Sequence, residues 1–227
     1  MNQEMINAFQ EQRHFEELMQ PYRAAIMIVK TKLEIIDQEL KFKCEHSPIH
    51  NIQSRIKSPQ SILDKLERKG FSKNFNNIKE LNDIAGLRVI CQYINDIQYI
   101  AQLLVLQDDV IQIKHNNYIQ YPKENGYRSL HLIVSVPVYQ REGMMQVPVE
   151  IQIRTIAMDC WASLEHELAY KTNFVANNDI KQRLKWCADM MAKTDEEMQK
   201  VYLELNQPWS NKKCFYVKHF CLIYFSK

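Results

Sequence analysis

Val147-Pro148-Val149-Glu150-Ile151-Gln152-Ile153-Arg154 is the stretch that decides the fold. Its apolar and polar residues alternate. A period of two places Val149, Ile151 and Ile153 on one face of a strand, and Glu150, Gln152 and Arg154 on the other. Working backward, residues 128–138 form a second β-rich run, and Gln140-Arg141-Glu142-Gly143-Met144 between the two reads as a hairpin connection. Ser129 and His131 alternate there with Leu130 and Leu132, so this strand also carries a polar row. Further out, Leu87, Val89, Cys91 and Tyr93 alternate with Arg88, Ile90 and Gln92 as another strand, residues 95–106 read as a short helix, and 110–114 as a strand. Helices are predicted over about 156–171 and 179–205. At the other end, Phe15, Leu18, Met19, Tyr22, Ile26, Val29, Leu33 and Ile36 recur at helical spacing over residues 3–43, with Pro21 expected to kink or restart the helix. Ser58-Pro59 opens a further helix that runs to about Lys69 and stops at Gly70. Helices, then mixed strands, then helices predict an α+β fold: a mixed sheet of about five strands flanked by N- and C-terminal helices.

Composition narrows the function classes. The 227 residues are 46% hydrophobic and 25% charged, enough to bury a full core. The net charge is only +2, so a polyanion has to be met by a local cluster rather than by a global field. The four glycines, Gly70, Gly86, Gly126 and Gly143, stand too far apart for a glycine-rich phosphate loop, so side chains must hold any phosphates. Six cysteines form no C-x-x-C pair, which speaks against a zinc ribbon. No leader-like start and no apolar window long enough for a membrane span are present, and a cytoplasmic protein is expected.

Four clusters could carry chemistry, and each has a plainer reading. Arg55, Lys57, Ser61, Lys65 and Arg68 gather at and along the second helix, where lysine and arginine could neutralise phosphates; Asp64 and Glu67 among them fit a solvated charged face equally well. Asp83 precedes a strand as a turn residue commonly does, yet with Glu150 it could offer hard oxygens to Mg²⁺. Arg88, on the polar side of its strand, could stack on a base. In Lys123-Glu124-Asn125-Gly126-Tyr127-Arg128-Ser129 the glycine lets the chain turn, and Tyr127 is either a loop anchor or a stacking platform for a purine. His166-Glu167-Leu168-Ala169-Tyr170 imitates the start of a zinc-protease helix but lacks the second histidine.

Together these segments closely resemble the synthetase domain of the RelA/SpoT family of alarmone (guanosine polyphosphate) synthetases. The matching stretches are Arg55-x-Lys57-x-x-x-Ser61-x-x-x-Lys65-x-x-Arg68, Asp83-Ile84-Ala85-Gly86-Leu87-Arg88, Lys123-x-x-Gly126-Tyr127-Arg128-Ser129-x-His131 and Glu150-Ile151-Gln152-Ile153-Arg154-Thr155, running on into Trp161-Ala162-Ser163-Leu164-Glu165-His166-Glu167-Leu168. The resemblance implies a nucleotidyltransferase-like synthetase domain over residues 45–175, preceded by a helical segment 1–44 suited to oligomerisation, and followed by a helix over 176–207 and an unassigned tail over 208–227. None of the seven histidines is followed by aspartate, so the His-Asp hydrolase domain of the long bifunctional members is not expected.

The activity implied is transfer of the β,γ-pyrophosphate of ATP to the ribose 3′-hydroxyl of GDP or GTP, releasing AMP. By the same resemblance, Arg55 and Arg88 sandwich adenine, while Lys57, Ser61, Lys65 and Arg68 hold the ATP phosphates. Asp83 and Glu150 bind Mg²⁺, and Glu150 also activates the 3′-hydroxyl. Tyr127 stacks on guanine, Lys123, His131 and Gln152 serve the acceptor pocket, and Asp159 reads the guanine edge. A homotetramer is implied too. Related tetramers are activated by product in a central cleft; here Lys30 matches, but Glu34 stands in place of a lysine and Asn51 in place of an aromatic, so that activation is not expected. Two other readings share these residues: pyrophosphorylation of the 3′ end of transfer RNA, and an idle nucleotide- or RNA-binding regulator. The near-neutral charge argues against a stable nucleic-acid partner, and paired carboxylates at 83 and 150 argue against a module that only binds.

Overall fold

A computed structural model describes residues 3–44, 46–172 and 178–206; the tail beginning at Pro208 lies outside them. The long first helix, α1 (Gln3–Cys44), presents Met19, Tyr22, Ala25, Ile26, Val29, Leu33, Ile36 and Leu40 as one buried stripe. It runs unbroken through Pro21 rather than restarting there. Proline in a helix interior costs about 3 kcal/mol, but the stripe continues in register on both sides of it, and burial of each large aliphatic side chain contributes about 1.5–3 kcal/mol.

Next come β1 (Ile49–Ile56), α2 (Pro59–Arg68), a 3₁₀ turn (Phe75–Glu80), β2 (Ala85–Cys91), α3 (Ile94–Val105), β3 (Ile111–Asn117), β4 (Leu130–Gln140), β5 (Gly143–Thr155), α4 (Ile156–Thr172) and α5 (Asn178–Leu205). The five strands form one mixed sheet in the order β1-β2-β5-β4-β3, with β2 and β5 parallel and the other pairs antiparallel. One face carries Leu87, Val89, Ile151, Ile153, Leu132 and Val134, all buried beneath α1 and α3. The opposite face is polar and open.

Three local details depart from the sequence reading. The hairpin connection is two residues, Arg141 and Glu142, because strand pairing continues through Tyr139–Met144 to Gln140–Gly143. β2 ends at Cys91 rather than at Tyr93, because Tyr93 caps α3 and its amide donates to Asp96 Oδ2 at 3.1 Å. β1 was not expected as a strand. Its apolar positions Ile49, Ile52 and Ile56 are spaced as on a helix, since an edge strand with most of its side chains exposed need not alternate. α2 begins as anticipated, with the Ser58 hydroxyl accepting from the Ser61 amide and Pro59 in the first turn.

Candidate active site

Strand register assembles the polar face. Residues paired across neighbouring strands share a side, and the pairing runs Gln53–Arg88–Gln152–His131–Asn116 across all five strands. The adjacent row runs Arg55–Gly86–Glu150–Ile133. The two polar rows anticipated for β4 and β5 therefore do face the same way. Their ends do not stay open: Ser129 is fully buried, its hydroxyl donating to Ile153 O at 3.1 Å, and Arg154 lies beneath the surface. A side chain at position 86 would come into ordinary contact with Arg55, which lies across Gly86.

On the β1 side the cations gather. Arg55, Lys57, Ser61, Asp64 and Arg68 line a cleft between β1 and α2, and Arg55 also lines a second cleft with Gly86, Arg88, Glu150 and Gln152. Lys57 and Lys65 both donate to Asp83 Oδ2. Burial pushes the Asp83 carboxyl upward, but the two ammonium groups outweigh it and hold the carboxyl below its ordinary value. Its other oxygen, Oδ1, is buried with no hydrogen-bond partner. A buried, unshared carboxylate oxygen beside a cation-rich cleft suits Mg²⁺. Among the described residues no three His, Cys, Asp or Glu side chains cluster, so phosphates and water would have to complete its shell, which is how Mg²⁺ is commonly held.

At the centre, Glu150 Oε1 lies 3.8 Å from His131 Nδ1, and Gln152 Nε2 donates weakly to Glu150 Oε2 at 3.5 Å. Asp83 and Glu150, paired on sequence grounds, have separate partners. Asp159 sits at the start of α4 with Oδ1 3.3 Å from Arg88 Nη1 and 3.5 Å from Arg154 Nη1; neither contact has hydrogen-bond geometry, so both are purely electrostatic. Arg88 also donates to Gln53 Oε1 at 3.3 Å, and Arg154 donates to Gln152 Oε1 at 2.5 Å.

Toward β4 the groups are aromatic. Tyr127 Oη and His131 Nε2 are 2.8 Å apart. Burial, with Lys123 and Arg154 adding to it, carries the His131 pKa from its ordinary 6.5 down to about 4, so the imidazole is neutral at pH 7 and its approach to Glu150 is no ion pair there. Burial raises the Tyr127 phenol. A neutral phenol and a neutral imidazole thus share this hydrogen bond, and the other imidazole nitrogen, Nδ1, faces Glu150. Lys123 Nζ lies over the rings of Tyr118 at 4.8 Å and of Tyr127 at 5.0 Å, and Tyr118 meets His131 edge-on at 5.1 Å.

The predicted residues thus form a cationic group (Arg55, Lys57, Ser61, Lys65 and Arg68, with Asp83), a central group (Arg88, Glu150, Gln152 and Asp159) and an aromatic group (Lys123, Tyr127 and His131). His166 is exposed on α4. Sequence reasoning missed Gln53, whose strand went unrecognised, and Tyr118. Tyr118 reaches the site because residues 118–129 leave and rejoin the sheet, the Tyr118 amide donating to Ser129 O at 3.0 Å; no local pattern announces such a return.

Residues 54–174 match the family described as the region found in RelA / SpoT proteins. The chain is 43% identical over 186 residues to GTP pyrophosphokinase YwaC of Bacillus subtilis, covering 82% of this chain and 89% of that one. It is 37% identical over 197 residues to GTP pyrophosphokinase YjbM of the same organism, covering 87% and 92%. Its fold superposes with a TM-score of 0.78 on small alarmone synthetase 1 from Bacillus subtilis bound to its product pppGpp, at 37% identity, covering 86% of this chain and all of that one. The polar face, the order of its motifs and these likenesses agree: the chain belongs to the RelA/SpoT family and stands among its small alarmone synthetases.

Proposed function

We propose that this chain moves the β,γ-pyrophosphate of ATP onto the ribose 3′-hydroxyl of GDP or GTP. The 3′-oxygen forms a bond to the β-phosphorus, the α,β-anhydride bond breaks, and AMP departs. The observation that carries this reading is the placement of Glu150 on one open face between a cationic group and an aromatic group. Transfer of this kind asks mainly for positioning and charge neutralisation. Arg55 and Arg88 stack on adenine. Lys57, Lys65 and Arg68, with the Ser61 hydroxyl, hold the donor phosphates, and the two lysines exchange the Asp83 carboxylate for phosphate oxygens as ATP enters. Tyr127 stacks on guanine, an interaction of about 1–3 kcal/mol per base, as Lys123 leaves the ring for the acceptor phosphates.

Asp159 accepts from guanine N1–H and the 2-amino group, donors that adenine does not present together. His131, neutral, bonds to Tyr127 and orients the acceptor side, and Gln152 supports the same pocket. Glu150 takes the proton of the 3′-hydroxyl; a positioned base typically contributes about 10²–10⁴-fold. Asp83 and Glu150 would hold Mg²⁺, which supplies charge neutralisation on the phosphates when bound. The free thiols of Cys91, Cys160 and Cys187 are in keeping with a cytoplasmic setting. Exposed Met27, Ile35 and Phe42 on α1 and Trp186 and Leu205 on α5 leave apolar surface for a homotetramer.

Incubation of the purified chain with Mg²⁺, labelled ATP and GMP, GDP or GTP tests the reaction, and a labelled 3′-pyrophosphorylated guanine nucleotide is expected. Glu150→Gln should lower turnover by at least about 100-fold while leaving the melting temperature near wild type, because Glu150 is half-exposed on the polar face and gives nothing to the core. Near-wild-type turnover by the variant would remove Glu150 from the mechanism.

A further inference from the structure

The helix α5 lies on the far side of the loop that carries Lys123 and Tyr127, and it grips that loop at two adjacent points. Arg128 makes the first contact. Its guanidinium donates from Nη1 to Gly126 O at 3.0 Å and to Ala188 O at 3.4 Å, and from Nη2 to Asp189 Oδ1 at 2.9 Å. One rigid fork therefore ties the loop's own backbone, the helix backbone and a helix carboxylate together. The second contact is steric. Gly126 has φ +91°, and a Cβ built there would lie 2.7 Å from Ala188 Cβ and 3.5 Å from Lys185 Cα, so the loop backbone packs directly against the Ala188 methyl and leaves no room for a side chain at position 126.

The loop transmits this grip directly to the two residues that face the site. Lys123 and Tyr127 are closed into one turn: the Gly126 amide donates to Lys123 O at 2.8 Å and the Lys123 amide to Tyr127 O at 3.2 Å. A rotation at Gly126 or Arg128 displaces both side chains at once. Resting on the reading of this loop as the guanine-nucleotide side, we propose that Asp189 and Arg128 are positioning residues, through which α5 sets the pose of Tyr127 and Lys123 and hence the affinity for the acceptor nucleotide but not for ATP. ATP's cationic group lies on β1 and α2, toward the opposite edge of the same face of the sheet.

The helix itself is anchored independently of this contact. Trp161 Nε1 donates to Leu184 O at 2.8 Å, and Thr155 Oγ1 bonds to Asp195 Oδ2 at 2.5 Å. Loss of the Asp189 charge therefore leaves α5 docked and loosens the loop alone. Asp189 is 46% exposed, so its replacement is compatible with folding.

The test is titration calorimetry of the full chain with GDP and, separately, with a non-hydrolysable ATP analogue, for wild type, Asp189→Asn, Asp189→Glu and Arg128→Lys, with steady-state KM values for both substrates and a melting curve for each. Asp189→Asn should weaken GDP binding and raise the acceptor KM by about tenfold, the effect of one lost charge-assisted hydrogen bond. ATP-analogue affinity should stay within about twofold. Asp189→Glu should recover most of the loss, and Arg128→Lys, which cannot fork, should not. Unchanged GDP binding in Asp189→Asn, equal weakening of both nucleotides, or a lowered melting temperature with GDP binding intact would each overturn the proposal. A wild-type chain that binds GDP but makes no product removes the reaction proposed above and leaves the positioning role to be judged on binding; a wild type that does not bind GDP removes both.

Discussion

Gly126→Ala is the most informative single substitution, because the structure assigns it two separable costs. The first is conformational. At φ +91° an L-residue pays the left-handed penalty, about 1–2 kcal/mol. The second is packing. The new methyl would stand 2.7 Å from Ala188 Cβ, where ordinary carbon contacts are about 3.5–4.0 Å, and forcing a methyl into a closed junction costs about 1–3 kcal/mol. The sum, about 2–5 kcal/mol, corresponds to a fall in melting temperature of order 10 °C for a chain of this size.

Gly70→Ala is the internal control. Gly70 has φ +81° but nothing within 4 Å of a built Cβ, so only the conformational cost applies and the fall is a few degrees. The double variant Gly126→Ala/Ala188→Gly removes the clash while keeping the conformational cost. Thermal and urea unfolding of the four members of that cycle should show about 1–3 kcal/mol of coupling between the two positions. If Gly126→Ala melts no lower than Gly70→Ala, or if Ala188→Gly recovers nothing, the loop and α5 are not in the contact described here, and the positioning argument fails with it.

Two further outcomes follow from the electrostatics. The His131 imidazole should titrate near pH 4 by NMR; because its folded pKa is below the ordinary 6.5, it adds nothing to stability above that pH, and as pH falls from 6.5 toward 4 the unfolded chain binds the proton first and the fold loses up to about 3 kcal/mol, a loss absent from His131→Asn. A midpoint near 6.5 would refute the burial argument. Added pppGpp should leave the initial rate of synthesis unchanged, since Lys30 Nζ is already 3.7 Å from the Glu34 carboxylate, which would repel a polyphosphate; clear stimulation would show that reasoning to be wrong.

Side-chain periodicity was enough to read α1, β4 and β5, where buried positions repeat at the spacing of a helix or of a strand packed on one core, and cap residues marked the ends of α2. The same alternation placed Glu150 and Gln152 on one face and His131 on a matching one, and the motif order identified the family. Other facts lay beyond any local pattern. β1 is an exposed edge strand whose isoleucines mimic helical spacing, and only its ladder with β2 brings Gln53 and Arg55 onto the polar face. Tyr118 joins Tyr127 through the return of a loop. Asp83 and Glu150, which chemistry would pair, turn to different partners: the one to two lysines, the other to His131 and Gln152. The grip of α5 on Gly126 is likewise invisible in one dimension, as a helix sixty residues downstream in the chain sets the pose of a loop. Local sequence dictates which way a side chain points within its own element; which partner it meets depends on register and docking between elements, and those are settled only when the whole core packs.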